Sequence, residues 1–356
     1  MSFRFKEPSI LPWMPFIVIV LLFLLWSSTP NLPVHNERFM AFGTLMDVSI
    51  VGVNKELAEQ AVNQLEKDFQ QMHSLWHAWE PGPLGRVNQL LATGEAFSAP
   101  TSVIPMIITA QELAEKSDNL FNPAIGKLIS AWGFHSDNPK GKAPPSKELI
   151  QSLVASNPKM SDIVINGYKL KSNNPDIKLD FGAFGKGVGI DMSIEALREM
   201  GIENAIVNAG GDLRAIGSRA GTPWRIAIKR PSGAGVLGVI KTDGDESIFT
   251  SGDYERNFSY EGKRYHHIID PRSGYPTEGV ASVTVIHSDA TTADAAATAL
   301  FVAGIENWQR IASQMGIKHV LIIESNGTLH MTPSMEKRIE LLSSDYKIVI
   351  SPPLNT

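Results

Sequence analysis

In the stretch TTADAAATAL, Asp294 and Thr298 stand four positions apart. On a helix that spacing puts both side chains on one face, a turn apart. A carboxylate and a hydroxyl so placed are hard oxygen donors suited to magnesium, which also draws on phosphate oxygens and water. The plainer reading is an Asp near a helix N-terminus. Upstream, KRYHHIIDPRSGYP gathers His266, His267 and Asp270 within five residues. Histidine serves as acid or base near neutral pH. Asp270, just before Pro271, is of a type to orient a histidine or ligate a metal, although paired histidines in an apolar strand also occur as mere satisfied donors. HExxH is absent, which removes that route to zinc hydrolysis.

Three further segments are glycine-rich. LDFGAFGKGVGID, Leu179 to Asp191, reads as a short strand ending near Asp180, then Gly182, Gly185 and Gly187 leading into a helix. Such a turn lets backbone N–H groups approach a phosphate. Lys186 is placed to add a cation, and Asp180 suits a ribose or adenine group. The spacing is not that of a P-loop, and a tight turn with a surface lysine is the competing reading. NAGGDL supplies Gly210 and Gly211 for a sharp turn before Asp212, and TSGDY places Thr250, Ser251 and Gly252 in a polar turn near a strand end.

The elements that must position these residues are legible from periodicity. Phe39 to Val53 reads as a strand pair or one long strand, with Gly43 as a turn point. Lys55 to Trp79 carries Leu57, Ala61, Leu65, Phe69 and Met72 at helical spacing and is closed by Pro81–Pro83. Helices are expected over 102–116, 187–200 and 292–303, with a loop and short helix over 121–132. Strands are expected over 163–170, 177–181, 205–207, 224–228, 236–242, 247–250, 282–287 and 320–324; 137–146 reads as a loop. The alternation is irregular, with strands clustered in the second half. That argues an α+β or mixed α/β architecture and not a regular Rossmann array.

The chain has 356 residues, 43% apolar and 19% charged, with a formal net charge of −5 and no cysteine. Thiolate metal sites, disulfides, a cysteine nucleophile and a lipidated cysteine are excluded. Nucleic acid would call for a basic face that this balance does not offer. Arg4 and Lys6 precede an apolar stretch from Ile10 to Trp26, the pattern of a signal anchor or a signal peptide. Residues 1–36 are therefore read as this segment plus a linker, 37–340 as one folded domain and 341–356 as a C-terminal tail. The folded part is expected to be exported.

Taken together, FGT at Phe42, FNPAIGKLISAWGF at Phe121, LDFGAFGKG, VNAGGD, TSGDY, HHIIDPRSGYP and ADAAATAL resemble, in order, the motifs of the ApbE family. These are FAD:protein FMN transferases. The resemblance implies an α+β, mixed-sheet, T-fold-related domain that uses FAD as substrate and Mg2+ as cofactor. It implies metal ligation by the carbonyl of Ala183 and the side chains of Asp294 and Thr298. It implies nucleotide contacts at Phe42, Trp79, Phe121, Asn122, Pro123, Asp180, Lys186 and the backbone of Ile268, with His267 as acid–base residue oriented by Asp270. The implied acceptors are Thr or Ser residues of flavin-bearing redox complexes of the Nqr or Rnf type, and the implied location of the folded part is the periplasmic side of a bacterial inner membrane. Phe42 replaces the usual methionine, Asn122 an aspartate, and Gly82-Pro83-Leu84 a polar run in a shortened loop. An FAD pyrophosphatase using water as acceptor, and a non-catalytic flavin-binding protein, are the competing readings.

Overall fold

In a computed structural model the described residues are 32–135 and 143–355. The apolar segment 10–26, and residues 137–142 of the expected loop, lie outside them. Among the described residues no helix is long and apolar enough to cross a membrane.

The frame is a nine-stranded sheet of β1 (Val34–Ala41), β2 (Thr44–Val51), β3 (Ala205–Ala209), β4 (Asp212–Ile216), β5 (Glu246–Gly252), β6 (Val280–His287), β7 (His319–Glu324), β8 (Leu329–Met331) and β9 (Ile348–Ile350). Spatial order follows this order, and only the β8–β9 pair is parallel. The stretch read as a C-terminal tail thus contributes the ninth strand. Side chains alternate between the two faces, as a period of two requires. Phe249, Val283, Val285, Val320 and Ile322 enter one core. Ile248, Ile286, Leu321 and Ile323 enter another. Strands buried on both faces read as unbroken apolar runs, which is why VASVTVIH shows no alternation in sequence.

The first face is covered by helices α1 (Lys55–Trp76), α2 (Gly185–Glu199) and α3 (Ala290–Gln314). The second is covered by a small sheet of Ile339–Leu341, Val236–Lys241 and Arg225–Lys229. A satellite cluster of Ile125, Leu128, Trp132, Phe134, Ile150, Phe258 and Ile269 roots the loops beside the main sheet.

Several expectations are corrected. The first helix ends at Trp76, not Trp79: the His77 ring nitrogen Nδ1 accepts the N–H groups of Trp79 and Glu80 at 3.3 and 2.9 Å and pulls the chain into a turn. Gly82-Pro83-Leu84, read as part of a shortened loop, instead opens a helix over Pro83–Leu91 with proline in its first turn, where no N–H is needed, and with Leu84, Val87 and Leu91 buried. Residues 177–181 do not form a strand; Lys178 makes a single parallel bridge to Ile125. The hairpin Asn257–Tyr260/Lys263–His266 escaped notice because its residues are mostly polar.

Candidate active site

The glycine turn and α3 meet at van der Waals limits. A Cβ on Gly187 would lie 2.4 Å from the Ala290 carbonyl oxygen, so only glycine fits. Asp191, one turn further along α2, accepts the N–H groups of Ala290 and Thr291 at 2.9 and 2.8 Å and the Thr291 hydroxyl at 2.7 Å. It thereby caps the other helix from outside. Arg214 on β4 holds Asp191 at 2.6 Å and forks onto Asp245. Gly187→Ala is expected to cost on the order of 3 kcal/mol by overpacking, read as a lower denaturation midpoint in urea.

This docking aims Asp294 at the turn. The Gly187 N–H donates to Asp294 Oδ2 at 2.9 Å instead of to the Ala183 carbonyl four residues back. No backbone N–H reaches that carbonyl among the described residues. Thr298 lies one turn on, its hydroxyl 3.4 Å from the Ser251 hydroxyl. Lys186 binds Asp212, whose other oxygen accepts the Thr250 N–H at 2.8 Å. GKG, GGD and TSGDY therefore converge on one place.

The electrostatics are those of a crowded acidic pocket. Burial pushes the Asp294 carboxyl up to about 8; Lys186 and the Gly187 N–H oppose this, while Asp212 and Glu255 add to it. Burial would lower Lys186, but Asp212, Asp294 and Glu255 outweigh it and hold the ammonium charged. Glu255 is likewise pushed up, to about 7, chiefly by burial, although it keeps an exposed edge where water damps the effect.

His267 sits across the site. Its N–H donates to the Arg256 carbonyl at 3.0 Å, and its Nδ1 lies 3.3 Å from the same oxygen. Burial first, then Arg256, His266 and Lys186, lower its pKa to about 3. The ring is therefore neutral at pH 7. The orienting role expected of Asp270 is not realised: its carboxylate is forked by Arg272 at 2.8–3.1 Å. Arg272 also donates to the Val302 carbonyl at 3.2 Å. Asp270 thus ties the loop to α3, and the Arg256 carbonyl faces the imidazole.

A second wall comes from the segments around Asn122 and Asp180. The Asp180 and Lys178 N–H groups donate to the carbonyls of Pro123 and Ala124 at 2.9 and 3.2 Å. Asp180 Oδ1 accepts the Gly182 N–H at 2.8 Å. Burial raises its pKa, against the pull of Gly182, Arg256, Lys178 and His77. Lys178 lies 3.9 Å over the Trp79 ring, a cation–π contact. Phe121 is not available as a side-chain contact: its ring is fully buried against Phe184. Pro123 is buried too, and its carbonyl is used by Asp180. The Ile268 carbonyl accepts the Thr277 N–H at 3.1 Å, and the Ile268 N–H donates to His266 Nδ1 at 3.3 Å. Asn122 donates to the Pro158 carbonyl at 2.9 Å, a bond that an ionised aspartate could not make.

Phe42 and Gly43 both take positive φ, 50° and 70°, at the two-residue turn between β1 and β2. Positive φ is costly for a phenylalanine. The ring is held against Phe69, His73 and Trp76, with centroids at 5.4, 6.0 and 6.3 Å. Sequence reasoning missed Arg256, Glu255, Lys178 and Asp191. Arg256 acts on both His267 and Asp180 and so joins the two walls. Its only signal was proximity to TSGDY.

A family model described as the ApbE family matches residues 42–321. The FAD:protein FMN transferase of Rhodobacter capsulatus is 41% identical over 323 residues, 91% of this chain and 62% of that protein. The chain thus spans about three fifths of that relative's length. The FAD:protein FMN transferase of Vibrio cholerae serotype O1 is 34% identical over 247 residues, 68% of this chain and 73% of that protein. Among solved structures, the ApbE protein of Thermotoga maritima superposes with a TM-score of 0.79 at 29% identity, covering 86% of this chain and 99% of the other. The flavin transferase ApbE of Vibrio cholerae gives 0.74 at 27% identity, covering 86% and 100%.

Proposed function

This chain belongs to the ApbE family, and on that premise we propose that it transfers FMN from FAD to a Thr or Ser hydroxyl of an acceptor protein with Mg2+. The acceptor oxygen bonds to the phosphorus of the FMN half as the bond from that phosphorus to the bridging oxygen breaks. AMP leaves with the electron pair. The hydroxyl proton passes to His267, whose neutral ring is able to take it.

The observation that carries this reading is the diversion of the Gly187 N–H onto Asp294. It leaves three hard oxygen donors with spare capacity beside a glycine-rich helix start: the Ala183 carbonyl, the second Asp294 oxygen and the Thr298 hydroxyl. These would hold the metal. No group of three or more His, Asp or Glu able to bind a metal occurs among the described residues. One carboxylate with neutral oxygens, completed by phosphate and water, is the donor set magnesium tolerates. Bound there, magnesium would neutralise charge building on the diphosphate. Lys186, kept charged by Asp212, adds a fixed positive charge at the same turn, and Trp79 with Lys178 offers a flat cationic wall for a ring.

The acceptors proposed are subunits of Nqr- or Rnf-type redox complexes. The catalytic part would lie in the periplasm, tethered through the segment 10–26. The test incubates the protein with FAD, magnesium and a candidate acceptor and weighs the acceptor by mass spectrometry. An FMN-sized increment with stoichiometric AMP is expected. Free FMN and AMP with an unmodified acceptor would replace the transferase reading by a pyrophosphatase.

A further inference from the structure

The small sheet on the far side of the molecule brings one hairpin to the edge of the site. Its arms are Arg225–Lys229 and Val236–Lys241. Lys229 Nζ lies 4.8 Å from the Tyr254 ring centroid. That ring lies on Gly252, where a Cβ would come within 2.6 Å of it. Gly252 ends β5, next to Ser251, whose hydroxyl is 3.4 Å from Thr298. Lys229 is thus stacked directly above the strand end that meets the proposed metal ligands. Arg230 follows it, with its guanidinium 5.9 Å over Tyr346.

Charge sets this hairpin apart. Residues 225–241, RIAIKRPSGAGVLGVIK, hold four cations and no acid, in a chain whose formal net charge is −5. Other cations near the site are paired: Lys263 with Glu278, Arg264 with Asp253, Arg272 with Asp270. Of the hairpin's four, Arg225 and Lys241 share Glu340 at 4.0 and 3.9 Å. Among the described residues Lys229 and Arg230 form no salt bridge and lie over aromatic faces, with Lys229 close enough to Glu255 to favour its ionised form. The tip between them and Val236 is largely exposed, and Gly233 and Gly235 take positive φ. An unpaired basic rim on an acidic protein is an electrostatic guide for a partner of opposite sign.

We infer that this hairpin docks the acceptor protein, and that what it receives is an acidic segment flanking the acceptor hydroxyl. The inference rests on the transferase reading. The donor's phosphates are already provided for at the glycine turn, whereas an acceptor must arrive from solvent across the rim where Lys229 is exposed.

The test uses the full chain with FAD, magnesium and three synthetic threonine peptides of equal length, flanked by Glu, Gln or Lys. The wild type is expected to label the Glu peptide about tenfold faster than the Lys peptide, a preference that salt erodes. The double variant Lys229→Gln/Arg230→Gln should bring the peptides to within about twofold of one another while FAD affinity stays unchanged. Equal labelling by the wild type, or a preference that survives the double variant, overturns the proposal. A parallel loss of FAD affinity in the double variant also overturns it, by assigning the two cations to the nucleotide. Absence of both labelling and AMP release with every peptide would instead strike the transferase reading itself.

Discussion

Asp294→Asn is expected to reduce FMN transfer by about a thousandfold or more, with little loss of fold. The estimate takes roughly 4 kcal/mol for a lost anionic metal ligand, at 1.36 kcal/mol per decade of rate. Asparagine keeps an oxygen for the Gly187 N–H, so the contact between α2 and α3 survives. Loss of activity without loss of folded protein therefore isolates the ligand's charge. A variant within tenfold of the wild type in saturating magnesium would sink the assignment.

If it holds the proposed magnesium, the same residue should make the stability of the metal-free protein and its magnesium affinity depend on pH in opposite senses. The Asp294 pKa is raised from 3.8 to about 8 by burial. Between these values the folded chain carries a proton that the unfolded chain has lost. The carboxyl's contribution to stability therefore falls as pH rises through that window. Metal binding needs the carboxylate, so below about pH 8 each ion must displace a proton. Apparent affinity should climb with pH, by up to about tenfold per unit, and level off above about 8. Calorimetric titration in buffers of different ionisation enthalpy reads both the affinity and the proton released. A flat affinity between pH 6 and 8 contradicts the reading.

His267→Gln should lower transfer by about a hundredfold to ten-thousandfold, the usual range for a lost general base, while FAD affinity changes little. Its surroundings keep the ring unprotonated, which frees the lone pair but makes it a weaker base than a free imidazole. Burial, then Arg256, His266 and Lys186, bring its pKa to about 3, so protonation does not compete for the lone pair at neutral pH. With the proton on Nδ1, facing the Arg256 carbonyl at 3.3 Å, Nε2 is left as the acceptor. Any acid limb of the rate above about pH 5 then belongs to the pocket's carboxyls, Asp294 with Glu255, and not to this histidine. A His267 NMR titration with a midpoint near 6.5, or a Gln variant within threefold of the wild-type rate, would remove His267 from the mechanism.

The sequence by itself determined the local units. The spacing of Asp294 and Thr298 set them on one helical face, the apolar period of Lys55–Trp76 set its buried stripe, and the order of glycine-rich segments carried the family. These are short-range consequences of backbone geometry, which a residue's neighbours suffice to express. The tertiary structure decided what depends on distant chain segments. It withdrew Phe121 into the core, turned Asp270 onto Arg272, and set the Arg256 carbonyl against His267. It also brought Asp212, Glu255 and Lys186 close enough to Asp294 to shift its ionisation. Burial and charge are properties of the assembled site: a carboxyl four residues from a threonine has an ordinary pKa until β4, β5 and α2 close around it.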